Sequence, residues 1–87
     1  MLVENGIGLR DERLARIQVL EAELQSGTSV KGMNELAALY YAENRVQEAL
    51  SLFHEVLEID SQNVEANGYV QVIRGVLDYV NKDLLNP

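Results

Sequence analysis

The chain has 87 residues, a formal net charge of −7 at pH 7 and no cysteine. That length fits one domain, which buries only about 60–65% of its unfolded surface and so has narrow stability. Acidity on this scale argues against nucleic acid and against an anionic membrane surface, and it favours a basic protein partner. Without cysteine there is no disulfide framework and no thiol nucleophile. No apolar run approaches the roughly 20 residues of a membrane span. The start, MLVENGIGLRDER, has neither a basic lead nor an apolar core, so no secretory leader is expected. A cytoplasmic protein is the resulting expectation.

Residues 1–8 contain Gly6 and Gly8 and show no period, which predicts a flexible arm. Residues 9–25 read as a first helix, stopped by Gly27. Asp11 and Glu12 sit in its first turn, where the helix dipole favours acids. This helix carries two apolar stripes. One is Leu14, Ile17, Leu20 and Leu24; the other is Ala15, Val19 and Ala22. The first is expected in the core because larger side chains bury more area. Thr28 or Ser29 can cap the next helix by satisfying its free N–H groups.

Residues 30–63 hold the clearest pattern. A helix over 30–43 carries Met33, Leu36, Ala37, Leu39 and Tyr40. A second over 46–59 carries Val46, Ala49, Leu50, Phe53, Val56 and Leu57. Both sets recur at steps of three and four, the helical period. The turn between them is Glu43-Asn44-Arg45, and asparagine tolerates the positive φ that a tight turn needs. Asp60 to Asn63 is a polar break able to cap the last helix, expected over 64–80 and followed by a tail over 81–87. The low glycine and proline counts agree with an all-α fold of about four antiparallel helices.

The stretch 30–63 resembles a tetratricopeptide repeat, a helix–turn–helix unit of about 34 residues. The resemblance rests on Met33 for the early aromatic, Leu36-Ala37 for the Leu-Gly pair, and Tyr40 one turn later. Asn44 stands for the turn glycine. Ala49 stands at the helix crossing, Phe53 one turn on, and Leu57-Glu58-Ile59-Asp60-Ser61 at the close. The family's second small residue is Val56 here, and its closing proline is Ser61. The resemblance implies a helical-repeat stack, with residues 9–25 as a degenerate flanking helix and 64–80 as a capping helix. The Tyr-x-Asn-Lys-Asp ending looks like that of short bacterial members that finish one helix past the repeat.

The family's role implies a non-catalytic adaptor or scaffold that binds a peptide or protein in a concave groove. Carried over by position, the groove would hold Lys31, Asn34, Glu35, Ala38 and Tyr41, with Glu65, Tyr69 and Val72 from the last helix. A carboxylate clamp is not expected, because its lysine–asparagine pair falls on Asn34 and Ala38.

No constellation carries catalysis, and no cofactor or metal is expected. His54 is the only histidine, and His54 with Glu58 reads as a solvated ion pair, since a metal site needs more ligands. Ser26, Ser29, Ser51 and Ser61 have no histidine in a plausible relay. Glu21, Glu23 and the other acids read as solvated surface.

The alternative function is self-association. Such stacks usually need three or more repeats, and this chain supplies about two helix pairs. Gly68 and Gly75 lie on one side of the last helix beside Val72, Val76 and Tyr79. Glycine within a helix costs about 1 kcal/mol against alanine, so two of them suggest close approach of another backbone. The occupant of this edge is a second copy, a different protein, or the arm with Leu2, Val3 and Ile7.

Overall fold

The computed structural model describes residues 2–85, and side chains over residues 9–80. Among these residues there are four α-helices and no strand: α1 Leu2–Gln25, α2 Val30–Ala42, α3 Val46–Ile59 and α4 Val64–Leu85.

Local chemistry sets the breaks. Gly27 takes φ 99° after α1, and Asn44 takes φ 65° between α2 and α3. Both values lie in the left-handed region that glycine and asparagine tolerate best. Of the two candidate caps, Ser29 starts α2, its Oγ accepting from the Gly32 N–H at 3.0 Å. Asn63 starts α4 in the same way, with Oδ1 accepting from the Ala66 N–H at 2.9 Å. Asp60 steadies Asn63 by accepting from its Nδ2 at 3.2 Å.

Two boundaries differ from expectation. The helix expected to begin at residue 9 begins at Leu2, so residues 2–8 are helical rather than an arm. Gly6 and Gly8 weaken a helix by about 1 kcal/mol each without removing a hydrogen bond. At the other end, α4 runs past residue 80 to Leu85. No glycine or proline interrupts residues 76–85, so nothing removes the ladder there. The rest of the expected tail, residues 86 and 87, lies outside the described residues.

α2 and α3 form a tight hairpin, α1 packs on α2, and α4 packs on α3 with a lighter contact to α2. The core takes Ile17 and Leu20 from α1, and Met33, Leu36, Ala37 and Tyr40 from α2. From α3 come Ala49, Leu52, Phe53 and Val56, and from α4 come Ala66, Val70 and Ile73. The larger stripe of α1 is therefore the buried one, with Leu14 and Leu24 packed at its ends, while Val19 faces solvent. Ala49 is fully buried, and a small residue there lets helices approach closely.

Candidate docking face

Three sectors divide the circumference of α4, whose residues step by about 100°. Ala66, Val70 and Ile73 point inward and are buried, with Leu77 packed beside them. Asn67, Gln71, Arg74 and Asp78 form a polar sector on one flank. Its asparagine is internally occupied: Asn67 Nδ2 donates to the Asn63 carbonyl at 2.9 Å and the Ser61 carbonyl at 3.2 Å.

Opposite the core runs an apolar sector of Val64, Gly68, Val72, Gly75, Val76 and Tyr79. Val64 is 85% exposed, Val72 55% and Tyr79 67%. One charged residue, Glu65, lies on the same arc, between the directions of Val72 and Val76. A β-carbon built at Gly68 or Gly75 meets no atom within 4 Å, so the single chain does not require either glycine. Val64, Glu65, Gly68, Tyr69 and Val72 line an open hollow of about 330 Å³ along this side.

The groove residues carried over from the family divide into open and closed. Lys31, Glu65 and Val72 are exposed. Asn34 is not on an open surface: it is 3% exposed, and its Nδ2 donates to Asn63 Oδ1 at 3.0 Å. It ties α2 to the cap of α4, and its own Oδ1 is buried without a protein partner. Glu35 is held in a two-pronged pair by Arg16, at 2.8 and 2.9 Å. Ala38 is half-buried against the core.

Tyr41 and Tyr69 are packed against the core rather than freely presented. Tyr69 stacks on Phe53 at 4.6 Å between centroids, and Tyr41 meets Tyr69 edge-on at 6.0 Å. α4 brings Tyr69 to Phe53 of α3 and Tyr41 of α2, a contact that position within residues 30–63 does not reveal. Tyr69→Ser is accordingly expected to cost about 2 kcal/mol in a urea melt, from lost area and lost ring contact. An unchanged midpoint would return Tyr69 to the open groove.

Several carboxylates expected in solvent are engaged instead. Arg10 and Arg13 of α1 both donate to Glu43, whose side chain is only 6% exposed. Hydrogen bonding to Arg13 is the main cause holding the Glu43 carboxyl below its usual range, and Arg16 does the same for Glu35. Tyr40 donates its hydroxyl to Glu21 at 2.6 Å. Burial, then that hydrogen bond, pushes the Tyr40 phenol up to about 12. Arg45 lies over the Tyr40 ring at 4.4 Å and pairs with Glu48 at 2.8 Å. The spacing of Arg10, Arg13 and Arg16, one turn apart on a single face, is the sequence signal for this clamp. His54 meets Arg74 of α4, whose Nη2 lies 3.4 Å from its Nε2, rather than Glu58.

No family model matches the chain, nor does any curated protein or solved structure. Function must therefore be argued from the site itself. Among the described residues no three His, Asp or Glu side chains are grouped to hold a metal ion. Nor is any helix there long and apolar enough to cross a membrane. What the arrangement offers is an exposed apolar stripe, with Glu65 the one charge along it, on a helix anchored by its opposite side.

Proposed function

We propose that the chain is a non-catalytic protein-interaction module, of tetratricopeptide-like build and cytoplasmic, that docks another polypeptide through the outer face of α4. One observation carries this reading. Opposite its packed side, α4 exposes a contiguous apolar stripe from Val64 to Tyr79, and contiguous exposed apolar surface marks interaction sites on small proteins. The α2 side of the family groove is largely consumed by internal contacts of Asn34, Glu35 and Tyr41. Docking thus shifts toward α4, where Val72 and Glu65 remain open.

Site-directed photocrosslinking in cells tests this. A benzophenone amino acid in place of Val72 is expected to give discrete adducts, while the same group in place of Gln71, in the polar sector, gives none. Equal adducts from both positions, or none from either, would overturn the docking face.

A further inference from the structure

We propose that the polypeptide docked on α4 is a second copy of the chain, its α4 lying antiparallel across the first about a two-fold axis beside Val72. This rests on the docking-face reading above and names its occupant.

Self-complementarity along the stripe is the ground for it. A two-fold contact applies one patch to itself. With the axis beside Val72, each residue meets the one equally far on the other side of Val72 in the second copy. Gly68 then faces Val76, so the hollow left by a missing side chain receives an exposed valine, and the relation occurs twice. The space open above Gly68 within one chain is thereby occupied between two.

Charge agrees with this register. Glu65 lies within the stripe, close to the direction of Val72, and Asp78 lies on the polar flank of α4. In the antiparallel pairing Glu65 comes opposite Tyr79, whose exposed phenol is a donor. Neither acid meets a like charge. A parallel pairing in register would instead set glycine over glycine and Tyr79 over Tyr79, leaving hollows against hollows.

Competing occupants fit less well. Continuing the helical stack would cover the flank carrying Asn67, Gln71, Arg74 and Asp78, which is polar. The N-terminal segment continues α1, which packs on α2. A contact limited to one helix face belongs to the small, weak class of interfaces, so dissociation in the range of about 10–100 µM is expected. Each copy carries a charge of −7. Added salt screens their repulsion and should tighten the pair, whereas it would loosen a complex with a basic protein.

Sedimentation velocity on the purified chain, from about 5 to 500 µM, reads this directly. The expected result is a rise from 9.7 kDa toward twice that mass, with a several-fold tightening in high salt. Val72→Glu is expected to remain at the single-chain mass with an unchanged helical spectrum. Because the chain has no cysteine, single engineered thiols report the register. Val72→Cys should form a disulfide-linked dimer readily under mild oxidation. Tyr79→Cys should not, because its two copies would lie about 20 Å apart along the pair at 1.5 Å per residue.

A chain that stays monomeric at the highest concentration overturns the second copy. In that case a photoadduct from position 72 at some other mass would still uphold the docking face. Dimers that survive Val72→Glu would overturn α4 as their seat, and ready linkage of Tyr79→Cys would overturn the antiparallel register.

Discussion

Phe53→Ala is expected to leave little folded protein at 25 °C. Phe53 is completely buried on α3, and its ring is stacked by Tyr69 from α4. Removing a fully buried phenylalanine ring costs about 3–5 kcal/mol, because transfer free energy is lost and a cavity remains. Loss of the stacked pair adds to this. Small domains sit near the lower end of the usual 5–15 kcal/mol, so one such loss consumes most of the total. With a urea dependence near 1 kcal/mol per molar for a chain this small, the midpoint should fall by about 3 M or vanish. A midpoint within a few tenths of the parent's would remove Phe53 from the centre of the core.

Much of this core is visible in the sequence because helices repeat their burial. Met33, Leu36, Ala37 and Tyr40 on α2, with Ala49, Phe53 and Val56 on α3, follow steps of three and four, and all are buried. The turn was equally legible, since Asn44 is a residue that tolerates its φ of 65°. Leu52 is different: it is buried at 5% exposure although it falls outside the α3 stripe expected from the repeat. A single-period pattern assumes one partner, whereas Leu52 lies on the flank of α3 beside Tyr40 of α2 and Leu24 of α1, away from the Phe53 side that meets α4. That widens its buried arc.

Longer-range matters were less legible. Asn34 reads as a surface residue by type, yet its burial depends on the Asn63 cap that α4 brings to it. Glu43 reads as a turn acid, yet two arginines more than thirty positions earlier reach it from α1. Helix lengths were underestimated at both ends for a related reason. Glycine and charge lower helix propensity by increments, whereas the backbone ladder ends only where donors or φ fail. The outer stripe of α4 is legible as an edge, because an apolar arc of about half the circumference exceeds what one neighbour can cover.

Ile73→Ala, set against Val72→Ala, fixes the rotation of α4 on which the docking face depends. Adjacent residues on a helix point about 100° apart. Ile73 is fully buried, while Val72 is 55% exposed. Ile73→Ala is expected to cost about 2–5 kcal/mol, and Val72→Ala no more than about 0.5 kcal/mol. Because α4 packs chiefly on α3, part of the loss should appear as local opening. Amide hydrogen exchange should then accelerate more over α4 than over the α2–α3 hairpin. Were the order reversed, with Val72 costly and Ile73 cheap, α4 would be turned by about one residue. The stripe from Val64 to Tyr79 would then face the core, and Ala66, Val70 and Ile73 would become the surface offered to a partner.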